Sequence, residues 1–214
     1  AEGADGVLLV VPPYNKPSQL GLMRHMGRIA NAVDIPIIVY NVPGRTGTNM
    51  DGETVLELDR EFGNIVGVKE AVGLKSKSET SDGRAQVALI LEGRSEGFGV
   101  WSGNDEDTLP MMRMGADGVV SVASHLTGDL IMRMIDHQLV GNAEQAQRLH
   151  DYLMPLFDAL FPKVSPEPSP SAVKAMLNLS GMPVGSLRGP VLGILKEDAY
   201  LGYRNKLQAL VAEY

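Results

Sequence analysis

The segment Val66-Gly67-Val68-Lys69-Glu70 ends an apolar run with a lysine, and an amine in that place can act as a nucleophile. Side chains alternate along a strand, so Ile65, Gly67 and Lys69 share one face and Val66 and Val68 the other, with Gly67 leaving room beside the lysine stem. A lysine at the C-terminal end of a buried parallel strand loses part of its hydration. That lowers its pKa toward an amine able to add to a carbonyl, and the product of such an addition is a Schiff base. The same pattern also describes a lysine that ends its strand and carries its charge to water on an aliphatic stem.

One strand earlier the chain reads Tyr40-Asn41-Val42-Pro43-Gly44-Arg45-Thr46-Gly47. Tyr40 falls on the same strand face as Ile38, in a position matching that of Lys69 on the neighbouring strand. A phenol there can pass protons to and from a carbinolamine. Arg45, on a glycine-rich turn, can bind a carboxylate through two parallel hydrogen bonds, while Gly44 and Gly47 let the backbone approach a ligand. The residue types alone equally describe a rim tyrosine and a surface arginine. Gly-Arg-Thr-Gly lacks the Gly-Lys-Ser/Thr ending of a phosphate loop. A third segment, Pro12-Pro13-Tyr14-Asn15-Lys16-Pro17, follows the first apolar run. Its three prolines stiffen the loop and hold Tyr14 in place, for chemistry or simply as part of a rigid turn.

These residues need strands to carry them. Short, near-continuous apolar runs at 7–11, 35–40, 65–69, 99–101 and 118–122 predict buried parallel strands. Between them lie helical patterns. Ser18 caps a stripe of Leu22, Met26, Ile29 and Val33; Asp51 caps one of Val55, Leu58 and Phe62, with Gly63 as its stop. Gly-Ala-Asp-Gly-Val occurs twice, starting at Gly3 and at Gly115, each time just before a strand. Such repetition argues for serial βα units, either an open doubly wound sheet or part of a (β/α)₈ barrel. Residues 86–91 read as strand or helix, and 92–97 as loop. From Thr127 onward helices are predicted over 130–139, 143–160, 171–179 and 196–211, with a proline-rich turn at 162–170.

Composition narrows the class. The chain has 214 residues, 19 basic against 26 acidic for a net charge of −7, and no cysteine. Without a basic run neither nucleic acid nor an anionic membrane is an expected partner. No apolar stretch approaches the roughly 20 residues of a membrane helix, no leader pattern is read at the N-terminus, and a cytoplasmic location is the default. His25, His125, His137 and His150 show no paired metal spacing, so no metal is expected; His25 and His150 are read as helix-surface residues. Asp105-Glu106-Asp107 reads as acid at a helix N-terminus, and the 11 methionines as core filler, with Met111, Met112 and Met114 on a helix.

In order and separation, the Pro13–Pro17 loop, the Tyr40–Gly47 loop and the strand Gly67-Val68-Lys69-Glu70-Ala71 resemble the dihydrodipicolinate synthase and N-acetylneuraminate lyase family of class I aldolase-like barrels. Ser102-Gly103-Asn104-Asp105 resembles that family's Ser-Gly-Asp-Asp loop, 118–122 its last barrel strand, and 168–189 its helical C-terminal region. The resemblance implies a partial (β/α)₈ TIM barrel, about the last five βα units over residues 1–126. The last barrel helix and a C-terminal helical region then fill 127–214. It further implies that Lys69 forms an imine with pyruvate, that Tyr40 relays protons, and that Tyr14 joins the relay across a dimer interface. Arg45 would bind the carboxylate of the incoming aldehyde, while Gly103 and the carbonyl of Val120 would face the substrate. No dissociable cofactor is implied, because the imine on Lys69 is itself the electron sink. The arginine turn favours the synthase branch, which condenses pyruvate with aspartate semialdehyde on the way to lysine. A sugar-acid aldolase is the alternative within the family.

The resemblance has gaps. Three earlier βα units, with the family's Gly-Thr-Thr-Gly-Glu threonine relay, have no counterpart in this sequence. Val72-Gly73 stands where Thr-Gly is usual, and the stretch to Ser102 is longer than expected. An N-terminally truncated barrel of this kind would leave sheet edges and an apolar inner face to cover, which implies a homo-oligomer, a dimer or a tetramer. A catalytically impaired, self-associating remnant is the reading these gaps favour.

Overall fold

The computed structural model describes residues 3–76, 82–161 and 169–191. They fall into two compact units, Ala1–Val120 and Ser121–Tyr214. In the first unit, among the described residues, five strands form one sheet: β1 (Val7–Val10), β2 (Ile37–Asn41), β3 (Ile65–Glu70), β4 (Gly99–Ser102) and β5 (Gly118–Val119). Every neighbouring pair is parallel and the strand order follows the chain. A doubly wound sheet reverses its order at a switch point. This one does not, and with helices between the strands it is an arc of a (β/α)₈ barrel.

The helices of this unit are α1 (Gln19–Ala30), the single turn α2 (Pro43–Thr46), α3 (Gly52–Glu61), α4 (Gly83–Gly93) and α5 (Thr108–Met114). Ser18 does cap α1, its hydroxyl accepting from Gly21 N at 3.2 Å. Leu22, Met26, Val55, Leu58, Val87 and Ile90 bring the helices onto the sheet face that carries Val39, Val68 and Val100, all fully buried. Hydrophobic burial at roughly 25 cal/mol per Å² of apolar surface is what holds this layer together. Met111 is buried there too, as core filler, and Met112 is buried as well.

Two local expectations are corrected, and the open reading of residues 86–91 is resolved. α3 ends at Phe62, whose backbone is extended, rather than at a left-handed Gly63. The Phe62 ring lies so close to Gly27 of α1 that a Cβ there would stand 2.5 Å from it, so the aromatic closes the α1–α3 contact instead of continuing the helical stripe. Residues 86–91 are helical, because Asp82 caps α4 by accepting from Arg84 N and Ala85 N. Ile65 does not share a face with Gly67 and Lys69. The β2–β3 register shifts between Ile37 and Ile38, so that Ile37 pairs with Ile65 and Ile38 with Gly67. A bulge of this kind inserts one residue, here Val66, and turns Ile65 into the helix-facing core.

From the bulge onward, alternation puts Leu8, Val10, Ile38, Tyr40, Gly67, Lys69, Gly99, Trp101 and Gly118 on the opposite face, the one a barrel turns inward. Gly67 makes its room for Trp101 and not for the lysine stem. A Cβ on Gly67 would stand 2.5 Å from the indole and 2.5 Å from the Gly99 carbonyl, and one on Gly99 would stand 2.1 Å from the indole. The chain's single tryptophan therefore lies across two glycine positions and supplies the interior volume those strands lack.

In the second unit α6 (Ser124–Leu139) begins six residues before the expected 130 and bends at Thr127, where φ is −138° and ψ 36°. Ser121 starts it early by accepting from Ser124 N at 2.8 Å, which also cuts β5 short of 122. α7 (Ala143–Leu160) and α8 (Ser171–Leu179) keep their expected bounds. Leu149, Leu153, Phe157, Met134 and Met176 are buried in this unit. The expected helix at 196–211, and most of the turn at 162–170, lie outside the described residues.

Candidate active site

Tyr40 and Lys69 are partners in the β2–β3 register, side by side at the C-terminal tips of their strands. The Lys69 Nζ sits 4.2 Å from the centre of the Tyr40 ring. That contact favours the ammonium form. Burial works the other way and lowers the Lys69 pKa; Asp105 pushes it back up, and Arg45 lowers it again. The result is an amine easier to deprotonate than a solvent lysine. Burial raises the Tyr40 pKa against the opposing charge of Arg45, so its phenol keeps its proton at neutral pH and can donate it.

Gly103 stands where the lysine stem passes. A Cβ there would lie 2.6 Å from Ala71 Cβ and 3.2 Å from Lys69 Cε. Arg45 is exposed on α2, a turn closed by Gly47 at φ 74°, a conformation that favours glycine. Its charge reaches both Tyr40 and Lys69. Val120 continues the β4–β5 ladder by donating to Ser102 O at 2.9 Å. Tyr14 is apart from this group: it is 90% exposed, with φ at 74°. Its N–H donates to Thr46 O at 3.2 Å, which ties the proline loop to the arginine turn. Positive φ at a non-glycine residue costs on the order of 1–3 kcal/mol and is held by such ties.

The acidic triplet does more than face a helix dipole. Asp105 and Asp107 are buried, and Asp107 accepts from Asn104 Nδ2 at 3.0 Å and Leu74 N at 3.3 Å. Asp105 acts against burial by favouring the charged Lys69 amine. His25 is exposed as expected, whereas His150 is half-buried in α7.

Reasoning from the sequence missed the polar cluster behind the reacting face. Glu70 is fully buried, and its carboxylate accepts from Asn41 Nδ2 at 2.9 and 3.1 Å, Gln86 Nε2 at 2.9 Å and Val72 N at 2.8 Å. Asn49 completes the cluster by donating to Gln86 Oε1 at 2.8 Å. Burial raises the Glu70 pKa to about 7, against the lowering effect of those hydrogen bonds. A carboxyl raised from 4.5 to about 7 in the folded state holds a proton that the unfolded chain releases. Its contribution to stability is therefore complete below pH 4.5 and is lost as pH rises through 7. The magnitude is about 3 kcal/mol. Denaturant titrations at pH 5 and pH 8 should show wild type losing that much relative to Glu70→Gln; parallel pH dependences in the two proteins would refute it.

The barrel arc thus carries a half-buried lysine at one strand tip and a phenol at the neighbouring one. The chain belongs to the Dihydrodipicolinate synthetase family, whose profile matches residues 1–211. It is 44% identical to 4-hydroxy-tetrahydrodipicolinate synthase 1 of Halalkalibacterium halodurans over 196 residues, covering 92% of this chain and 62% of that protein. It is 45% identical to the Symbiobacterium thermophilum synthase at the same coverage. Among solved structures it is similar to the lysine-bound synthase of Cyanidioschyzon merolae, with a TM-score of 0.86, 44% identity, and 98% of this chain covered against 66% of that one. The synthase of Methylacidiphilum fumariolicum SolV gives a TM-score of 0.87 at 36% identity, covering 99% of this chain and 67% of that one. The chain thus spans about 62% of the length of the curated relatives it matches.

Proposed function

We propose that the protein is a pyruvate-dependent Schiff-base lyase that condenses pyruvate with aspartate semialdehyde, as a cytoplasmic homo-oligomer. The observation that carries this reading is the Lys69 amine, made easier to deprotonate by burial and held 4.2 Å over the Tyr40 ring. Relatives named 4-hydroxy-tetrahydrodipicolinate synthase support it over a sugar-acid aldolase.

In the proposed reaction the Lys69 amine adds to the keto carbon of pyruvate. Tyr40 donates its proton to the departing hydroxyl, water leaves, and a protonated imine forms. The Tyr40 phenolate takes up a methyl proton to give an enamine, whose carbon bonds to the aldehyde carbon while Tyr40 returns that proton to the aldehyde oxygen. The product's own amino group then displaces the Lys69 amine from the imine carbon. Arg45 holds the aldehyde's carboxylate, and Gly103 and Val120 border the bound donor. Tyr14 serves the relay from a neighbouring subunit, a role supported by its exposure at the end of a tied loop. The imine itself takes up the electron pair, so no dissociable cofactor is required.

Coupled turnover with aspartate semialdehyde, run beside sugar-derived aldehydes, tests the substrate. Arg45→Ala should raise KM for aspartate semialdehyde on the order of 10–100-fold, by removing a charge-assisted pair, while KM for pyruvate stays within about threefold. Equal effects on both substrates, or preference for a sugar aldehyde, would overturn the assignment. Self-association is supported by Leu8 and Val10, 48% and 40% exposed on the inner sheet face. Light scattering at micromolar concentration should give a dimer or tetramer, and a compact monomer would contradict it.

A further inference from the structure

We infer that Glu70 is a positioning residue for Lys69 and Tyr40: its carboxylate, gripped from β2 by Asn41 and from α4 by Gln86, clamps the two strand tips behind the face where amine and phenol meet. This rests on the reading of Lys69 and Tyr40 as the reacting pair. Asn41 and Glu70 are register partners, as Tyr40 and Lys69 are one residue earlier. Alternation sends the two pairs to opposite faces of the same strand ends. Whatever holds the rear pair therefore fixes the backbone from which the front pair projects.

The grip is specific to a carboxylate of this length. Every partner offered to Glu70 is an N–H donor. Their orientations are fixed from elsewhere: Met50 N donates to Asn41 Oδ1 at 3.0 Å, and Gln86 Oε1 accepts from Asn49 at 2.8 Å. Neither amide can turn to present an oxygen without giving up one of those bonds. A glutamine at 70 would set its own amide donors against them, and an aspartate would fall a methylene short. The backbone continues the tie, with Ala71 N donating to Asn41 O at 2.8 Å and Gly103 N to Glu70 O at 2.7 Å. Through Glu70 the cluster thus joins β2, β3, α4 and the loop that carries Gly103. Among the described residues every group that meets the carboxylate is a neutral N–H donor, so its placement serves hydrogen bonding to the strand tips.

The test measures the Lys69 amine without pyruvate, so that its outcome is separate from that of the proposed reaction. Rates of reductive methylation by formaldehyde and cyanoborohydride are followed residue by residue by mass spectrometry across pH. In Glu70→Gln the released tip should hydrate, and the midpoint of Lys69 reactivity should rise by about one pH unit toward that of an exposed lysine. Exposed Lys75 is the internal reference. Gln86→Met, which removes the α4 donor to Glu70 together with the acceptor for Asn49, should shift Lys69 in the same direction by less, and keeps the test available if Glu70→Gln does not fold. Met26→Ala in the α1 core lowers stability without touching the cluster, and should leave Lys69 unmoved. A downward shift in Glu70→Gln would overturn the inference, because it is what loss of a nearby negative charge alone would cause. An unchanged midpoint, or an equal rise in Met26→Ala, would overturn it as well. If the shift occurs while pyruvate leaves no adduct on Lys69, the positioning role stands and the proposed reaction fails.

Discussion

Lys69→Arg is expected to lose turnover by on the order of 10³-fold or more, with the fold intact. Arginine keeps a positive charge on an aliphatic stem and can still lie over the Tyr40 ring, so the packing at the strand tip has a close substitute. What it cannot do is present a neutral amine, because its guanidinium stays protonated at any working pH. The substitution therefore separates the proposed covalent role of Lys69 from its charge. Steady-state rates with pyruvate and aspartate semialdehyde, beside circular dichroism of both proteins, provide the check. Activity within about tenfold of wild type would mean that Lys69 is only a strand-terminal charge.

Tyr40→Phe should cost about 10²–10⁴ in kcat, the usual contribution of a positioned general acid or base. Phenylalanine leaves the aromatic face under the Lys69 Nζ, where it now stands at 4.2 Å, and removes only the hydroxyl. The amine should then add to pyruvate but expel water slowly, so the rate of imine formation falls while the pyruvate concentration giving half-saturation changes little. Rapid-mix trapping as a function of pyruvate resolves the two. A mutant whose affinity falls and whose imine rate holds would assign Tyr40 to binding instead of proton transfer.

The strands were legible because barrel strands are written as continuous apolar runs, and each of the five predicted runs overlaps most of the strand observed, the last overrunning β5 by three residues. Long amphipathic helices were equally plain, as α7 and α8 show. The bulge at Val66 was not, because Ile-Val-Gly-Val fits either register and only pairing with β2 decides it. The close fit of Trp101 over Gly67 and Gly99 also depends on strands brought together by the fold.

The front of the site could be read from local motifs, since Tyr40, Arg45, Gly103 and Lys69 each end or follow a strand. The rear could not be assembled that way: Asn41, Glu70 and Gln86 are joined by hydrogen bonds that span 29 and 16 residues. A signal was nevertheless present. Alternation from Val39 and Val68 assigns Asn41 and Glu70 to the buried face, and a polar side chain in such a place requires hydrogen-bond partners. Tyr14, expected to act across a dimer interface, is 90% exposed at its loop.

The chemistry proposed here stands on one covalent bond. Incubation with pyruvate followed by borohydride reduction should leave a stable mass adduct, and peptide mapping should place it on Lys69 in the wild type and find none in Lys69→Ala. A wild-type protein that stays unmodified under conditions where it is folded, or an adduct carried equally by the Lys69→Ala protein, would contradict the account.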